Sequence, residues 1–309
     1  MPPEPSGNTP LPIGHMPAAK LRAREAVVPP GPTLQRGAAE EKLALLGKPQ
    51  RIWAVGSIYG RCGALSQLHE NLIKKIRPKD RIVYLGNYLG PHSLWTGEGI
   101  SSIDEVIAFR AAMISQPGFF AEDIVFLHGQ GEDLFQQARR LIFRKDHGSW
   151  IKAALDYGLE CYTAPYGGSA AELLSVGDKN IIAINRFTHR LQQAIRGQRG
   201  HEAFYANLKL AARTAYGPPF GEIGFVPVGL QPNFPLVLQG EYLCWPQQDI
   251  GGLKKWRNFR RILRGQAPKP GKPRRDSFVV TLDDSMGLEG KLHAACLDSH
   301  GRILDWLSF

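Results

Sequence analysis

The stretch Arg51-Ile-Trp-Ala-Val-Gly-Ser-Ile-Tyr-Gly-Arg-Cys-Gly63 combines an apolar strand, a turn between glycines and the start of a helix. Two later segments, Arg81–Gly90 and Ile124–Asp133, repeat the order of strand and glycine turn. Three such strands bring three loops to one edge of a sheet. In open α/β sheets, ligands bind at the edge formed by the carboxyl ends of the strands. The sequence therefore predicts a layered α/β fold with a candidate site at that edge.

The rest of the chain divides by composition. Residues 1–37 are rich in Pro, Gly and Ala, and we expect a disordered tail there. A short helix is predicted at Ala38–Leu46, ended by Gly47. We expect one globular domain over residues 50–309, with strands and helices alternating first and short strands in its second half. Between these halves, residues 149–216 are predicted to be mainly helical, with a last helix at Glu202–Ala215.

Five short segments containing glycine or proline recur along this domain. They are Gly56-Ser57-Ile58-Tyr59-Gly60, Gly86-Asn87-Tyr88-Leu89-Gly90-Pro91-His92, Gly129-Gln130-Gly131-Glu132, Pro227-Val228-Gly229 and Gly265-Gln266-Ala267-Pro268. Their order and spacing resemble the motifs of the calcineurin-like metallophosphoesterases. Within that superfamily, the closest likeness is to the bacterial serine/threonine protein phosphatase and diadenosine-tetraphosphatase branch.

The resemblance implies a β-sandwich of two mixed sheets flanked by helices. It also implies that residues 149–216 form a helical cap insertion above the site. The alternative for this segment is a set of helices that simply pack on the outer face of a sheet.

The resemblance further implies where the metal ligands of the family should lie, and those residue types are missing. The family's first Asp and His match Ser57 and Tyr59, its next two Asp match Asn87 and Gly90, its Asn ligand and catalytic His match Gln130 and Gly131, and its last two His match Pro227 and Gln266. The family's two divalent metals clamp the phosphate and generate a hydroxide nucleophile. Such ions need carboxylates and imidazoles. We therefore expect no metal, no cofactor and no phosphatase activity.

The glycine turns remain although the metal ligands do not. One explanation is structural, because tight turns need glycine for positive φ angles. The other is that the loop edge still binds an anion, helped by a helix N-terminus and the charge of Arg61. The candidate residues of this degenerate site are Ser57, Tyr59, Arg61, Asn87, Gln130, Glu132 and Gln266.

The net charge of +10 comes from one segment of the chain, because residues Lys254 to Arg275 contain ten Lys or Arg residues and no Asp or Glu. This basic patch consists of Lys254, Lys255, Arg257, Arg260, Arg261, Arg264, Lys269, Lys272, Arg274 and Arg275. Its concentration on one stretch predicts an anionic partner. Alternatively, the apolar residues around Arg260–Leu263 belong to a core strand and the charges are merely solvated. Nucleic-acid binding needs only clustered positive charge, but no nucleic-acid module is recognisable.

The cellular compartment is inferred from features that the sequence lacks. No apolar run reaches the length of a membrane span, and the first residues do not have the pattern of a signal peptide. The four cysteines are scattered and form no C-x-x-C pair, which is typical of a cytoplasmic protein with reduced thiols. Cys62 is expected to be a small buried residue, or alternatively a thiol activated by a helix N-terminus.

Three functions remain open on this sequence. The first is a pseudophosphatase, a catalytically inactive relative that binds an anionic or phosphorylated protein partner. The second is a phosphoesterase with a rebuilt or metal-independent site that uses His92, His128, Glu132 or Cys62. The third is a nucleic-acid or membrane-surface accessory protein that uses the basic patch.

Overall fold

The structure, a computed structural model, describes residues 40–91, 100–177, 181–246, 249–284 and 290–309. The predicted tail at residues 1–37 and the candidate His92 lie outside these ranges. In chain order the strands are β1 Leu43–Leu45, β2 Arg51–Val55, β3 Arg81–Tyr84, β4 Ile124–Phe126, β5 Ala211–Arg213, β6 Glu222–Val226, β7 Phe259–Arg264, β8 Val279–Thr281, β9 His293–Asp298 and β10 Ile303–Ser308. The α-helices are α1 Cys62–Ile73, α2 Ser101–Ile114, α3 Gln130–Arg139, α4 His147–Asp156, α5 Glu160–Thr163, α6 Ala170–Gly177, α7 Ile181–Gly197 and α8 His201–Ala206.

The strands form two mixed sheets of five strands each. The first sheet has the order β10-β9-β2-β3-β4, with β2, β3 and β4 parallel and β9 antiparallel to both β2 and β10. The second has the order β1-β5-β6-β7-β8, with only β5 and β6 antiparallel. The parallel strands carry the loops of the candidate site at their carboxyl ends.

The two sheets pack face to face because residues of one parity along each strand are apolar and point inward. Ile52 and Ala54 of β2 share this inner core with Phe225 of β6 and Leu263 of β7. Residues of the other parity, such as Trp53, pack against the helices. Burial on both faces explains why β2 is apolar without interruption from Ile52 to Val55. The predicted arrangement of two mixed sheets flanked by helices is confirmed.

The last helix of the 149–216 segment, α8, contacts the outer face of the first sheet. Phe204 of α8 lies 5.3 Å from Phe126 of β4 and 4.9 Å from Tyr88, measured between ring centroids. Aromatic pairs at this spacing add to the area that they bury. At least α8 therefore packs on the outer face of the sheet, which is the alternative to a cap given above. A second helix of the segment, α5, reaches the candidate site described below.

Two predicted helices are wrong in part. Within the predicted helix Ala38–Leu46, residues Leu43–Leu45 form β1, which pairs in parallel with β5. Within the predicted helix Glu202–Ala215, only His201–Ala206 is helical, and Ala211–Arg213 forms β5 between β1 and β6. Leu and Ala favour helices locally, but pairing within the second sheet overrides that preference. In the part of the chain that the structure describes, no helix is long and apolar enough to cross a membrane.

Candidate functional site

The loops after β2 and β3 hold each other at the carboxyl edge of the first sheet. The backbone N–H groups of Ile58 and Tyr59 both donate to the carbonyl of Asn87, at 3.1 and 2.7 Å. The next N–H along, that of Gly60, donates to the carbonyl of Tyr88 at 3.0 Å. Tyr59 and Asn87 each adopt a φ of 54°, a conformation that is uncommon outside glycine. Their mutual hydrogen bonds sustain that conformation at the centre of the site.

Four neutral side chains meet there in a hydrogen-bonded chain, which we call the amide cluster: Ser57, Asn87, Gln130 and Gln266. The Asn87 Nδ2 donates to Gln266 Oε1 at 2.7 Å and to Ser57 Oγ at 3.2 Å. In turn, Gln266 Nε2 donates to Gln130 Oε1 at 2.8 Å. The other side of the Asn87 amide accepts from the Gly131 N–H at 3.1 Å. All four side chains are buried, so four loop ends from two sheets are joined by three amides and one hydroxyl.

The amide cluster does not fit a pair of divalent metal ions. Amides and hydroxyls carry no charge to offset two dications, and these groups already satisfy one another. Among the described residues, no group of three or more His, Cys, Asp or Glu is placed to hold a metal. The site residues predicted from sequence are thus brought together, but with chemistry that differs from that of a metal centre.

Glu132 lies beside this cluster, and its carboxylate accepts hydrogen bonds from backbone N–H groups. Its Oε2 accepts from the N–H groups of Asn87 at 2.7 Å and Gly129 at 2.9 Å, and its Oε1 accepts from the N–H of Tyr88 at 2.9 Å. Burial raises the pKa of Glu132 to about 7, against the opposing effect of these donors. Glu132 therefore ties the loop after β3 to the start of α3, and backbone N–H groups engage both of its oxygens.

A tyrosine from the helical segment fills the position that matches the family's catalytic histidine. Gly131 has no side chain, and the ring of Tyr162 in α5 occupies the space where a Cβ atom would lie. At Gly90, a Cβ atom would come within 2.8 Å of Tyr59 Cα. Gly131 and Gly90 therefore lack side chains at positions where Tyr162 and Tyr59 leave no space for a Cβ atom. Tyr162 is a residue of the site that the sequence analysis missed.

A buried carboxylate just after β8 was not predicted from the sequence. Asp283 is buried and accepts from the Ala267 N–H at 2.9 Å. Burial, reinforced by the negative charge of Asp283, raises the pKa of Tyr59 well above its usual value. Burial lowers the pKa of Arg61, although the charges of Asp283 and Asp284 oppose that effect. The available signal was the pair Asp283-Asp284 directly after a predicted strand, on the same edge as the other loops.

The other sequence candidates lie outside the amide cluster. Pro227 contributes only its carbonyl, which accepts from the Gln266 N–H at 2.9 Å. The His128 ring lies beside Asp133, with Nε2 4.0 Å from Oδ1, and burial lowers its pKa to about 4. Cys62 is half-buried at the first position of α1. The structure therefore does not join His128, Glu132 and Cys62 into one site.

Most of the basic patch lies at the surface, on and around β7. Arg264 is buried, ion-paired with Asp249 at 2.9 Å, and donates to Thr281 Oγ1 at 2.9 Å. Arg261 is half-buried. The remaining eight cations are exposed: Lys254, Lys255, Arg257, Arg260, Lys269, Lys272, Arg274 and Arg275. The apolar residues Phe259, Ile262 and Leu263 of this stretch are buried in a strand, as the core-strand alternative predicted.

Comparison with known proteins gives no family assignment. No protein-family profile matches the sequence, and no curated protein is significantly similar to it. Among solved structures, a candidate diadenosine tetraphosphatase is 16% identical with a TM-score of 0.46, covering 86% of this chain and 97% of its own.

Two further solved structures are similar at a lower level. A serine/threonine protein phosphatase from Saccharomyces cerevisiae is 13% identical with a TM-score of 0.42, covering 89% of this chain and 90% of its own. A mutant of a cold-active protein tyrosine phosphatase is 10% identical with a TM-score of 0.38, covering 87% and 84%. With TM-scores below 0.5, these similarities establish neither a family nor an activity for this chain.

Proposed function

We propose that this protein is a pseudophosphatase, a module without phosphatase activity that binds an anionic or phosphorylated protein partner. The observation that carries this proposal is the amide cluster. At the strand edge where a metal-dependent phosphatase needs carboxylates and imidazoles, Ser57, Asn87, Gln130 and Gln266 bond to one another.

The chemistry of these groups supports inactivity. A metal-dependent phosphatase generates its nucleophile from metal-bound water, which requires anionic or imidazole ligands. Here the side-chain amides of Asn87 and Gln266 donate to other members of the cluster. The ring of Tyr162 fills the space beside Gly131. The carboxylate of Glu132 is engaged by backbone N–H groups, which supports the view that it does not act as a general base here.

The binding role rests on the exposed cations of the basic patch. Eight of its ten residues are at the surface, where clustered positive charge attracts acidic or phosphorylated segments. The loop edge itself offers an anion little, since its polar side chains are buried and mutually bonded. The patch around β7 is therefore the better candidate for the partner surface.

One preparation tests inactivity directly. The purified full chain is incubated with manganese and zinc, desalted and analysed for metal content, and then assayed for hydrolysis of an aryl phosphate. We expect no stoichiometric metal and no turnover. About two metals per chain, together with turnover that a chelator abolishes, would overturn the proposal.

A matched pair of variants tests the binding role. Lys254→Gln with Lys255→Gln removes two charges from the basic patch, and Lys74→Gln with Lys79→Gln removes two exposed charges near the end of α1. The probe is an acidic phosphoserine peptide, measured by fluorescence anisotropy. We expect only the first pair to weaken binding. Equal weakening by both pairs would indicate nonspecific attraction to net charge, and stronger salt-dependent binding of an oligonucleotide would favour the nucleic-acid alternative.

A further inference from the structure

A separate polar cluster lies where β9 begins and β10 ends, outside the amide cluster. The Oγ of Ser308 lies 2.8 Å from Nδ1 of His293. On the other side of the same ring, Nε2 lies 3.4 Å from Oδ2 of Asp284. A hydroxyl, an imidazole and a carboxylate are thus arranged in series across one histidine.

The indole of Trp306 indicates which ring nitrogen carries the proton. Its Nε1–H, which can only donate, lies 3.2 Å from His293 Nδ1 and 3.1 Å from Ser308 Oγ. Because a donor lies on that side, we assign Nδ1 as the unprotonated nitrogen, which accepts from the Ser308 hydroxyl. The proton then sits on Nε2 and faces the carboxylate of Asp284. This tautomer directs the basic nitrogen at the serine.

Burial and charge around the cluster match these roles. His293 and Asp284 are buried, whereas Ser308 is partly exposed. Asp284 also accepts from the Lys291 N–H at 3.1 Å, which holds its carboxylate in place. On the solvent side, the guanidinium of Arg275 lies 4.2 Å above the Trp306 ring. A positive charge therefore lies over the ring whose Nε1–H contacts the Ser308 hydroxyl.

We propose that Ser308 is an activated nucleophile in a Ser308–His293–Asp284 constellation that hydrolyses esters bearing a nearby negative charge. A hydrogen-bonded nucleophile and base, with the base oriented by a third group, is the arrangement that activates serine for acyl transfer. The two ring nitrogens have exchanged roles relative to the serine-protease triad, but the order of groups is the same. Asp284 is a positioning residue because it acts through His293.

The reaction balances with water as the only co-reactant. Ser308 Oγ attacks the ester carbonyl carbon, and its proton passes to His293 Nδ1. When the carbon–oxygen bond to the leaving group breaks, that proton goes to the departing alkoxide and an alcohol is released. Water then attacks the acyl–serine, gives a proton to His293 and receives the acyl group. A carboxylic acid leaves, and the proton returns to Ser308.

Labelling of the full-length protein with a fluorophosphonate probe tests this proposal, with the modified residue located by mass spectrometry. The matched control is Ser299, whose Oγ lies 3.3 Å from Nδ1 of His300 in the β9–β10 turn. We expect Ser308 to be labelled in preference to Ser299, Ser308→Ala to abolish labelling, and Ser299→Ala to leave it unchanged. His293→Gln should slow labelling by about 100-fold or more, the usual contribution of a general base.

A second readout concerns the substrate class. Hydrolysis of an aryl hemisuccinate should exceed that of the neutral aryl acetate, and Arg275→Gln should remove the difference. The proposal would be overturned if Ser308 were labelled no faster than Ser299. It would also be overturned if a folded His293→Gln protein were labelled at Ser308 at the same rate as the unaltered protein. If His293→Gln does not fold, the ratio of Ser308 to Ser299 labelling in the unaltered protein decides.

Discussion

The ring of Tyr162 takes the space beside Gly131 that a side chain would need at that position. Gly131 lies at the second position of α3, and Tyr162 comes from α5 of the helical segment. Glycine here thus provides room for a tyrosine that covers the end of β4, so the helical segment and the strand edge form one packed unit.

This overlap predicts that the effect of Gly131→Ala on the free energy of unfolding changes sign when Tyr162 is removed. Gly131→Ala should destabilise the protein by about 1–3 kcal/mol, because the added methyl group overpacks against Tyr162. In a Tyr162→Ala background the same substitution should stabilise by up to about 1 kcal/mol, since alanine favours a helix over glycine. Denaturant unfolding of the four proteins measures both effects. Equal costs in the two backgrounds would contradict the proposed overlap.

Glu132 predicts how stability depends on pH. Its pKa is raised from 4.5 to about 7 in the folded protein, so folding favours its protonated form. The stabilisation is fully present below pH 4.5 and is lost as pH rises through 7. Relative to Glu132→Gln, the wild-type protein should lose up to about 3 kcal/mol of unfolding free energy between pH 4.5 and 8.

Unfolding of both proteins across that range checks the prediction. The comparison with Glu132→Gln removes contributions from groups that titrate in both proteins, such as His128. Parallel stability curves would mean that the three backbone donors hold the Glu132 pKa near its ordinary value.

Much of the fold could be predicted from the sequence because local and tertiary signals agree there. The apolar run of β2 and the turn between β9 and β10 both specify their own structure. By contrast, β1 and β5 consist of Leu, Ala and Arg residues with helical preference, and only their pairing within the second sheet makes them strands. No local pattern contains that information.

The candidate site was predictable to a similar extent. The motif order predicted that Ser57, Asn87, Gln130 and Gln266 would be neighbours, and the structure brings them together. The presence of Tyr162 was not predictable, because it reaches the edge through the packing of a helix from a distant part of the chain. Whether these residues bind a ligand stays a prediction.

Asn87 predicts the cost of introducing charge into the amide cluster. Asn87→Asp replaces the Nδ2 donor with a carboxylate oxygen that faces Gln266 Oε1. An uncompensated buried charge costs about 3–5 kcal/mol, so this variant should be destabilised by that amount at pH 8. The cost should shrink at pH 5, where the new carboxyl takes up a proton.

A control on α1 separates this effect from a general cost of Asn→Asp. Asn71 donates its amide to the carbonyl of Gln67 at an exposed site, and Asn71→Asp should cost less than about 1 kcal/mol at either pH. Thermal or denaturant unfolding at pH 5 and pH 8 gives both values. A pH-independent cost for Asn87→Asp would show that water or movement of the loops solvates the new charge.

The basic patch predicts opposite effects of two cations that are close in sequence. Arg264 is buried and bonded to Thr281 and Asp249, so Arg264→Ala should destabilise the protein by about 2 kcal/mol through lost hydrogen bonds and packing. Lys254 is exposed, and Lys254→Ala should change stability by less than about 0.5 kcal/mol.

Binding of an acidic phosphoserine peptide should show the reverse order, because only the exposed charge can reach a partner. Unfolding and fluorescence anisotropy on the same two variants measure this reversal. A folded Arg264→Ala protein that binds the peptide more weakly than Lys254→Ala would place the partner surface at the carboxyl end of β7 instead of the loop before it.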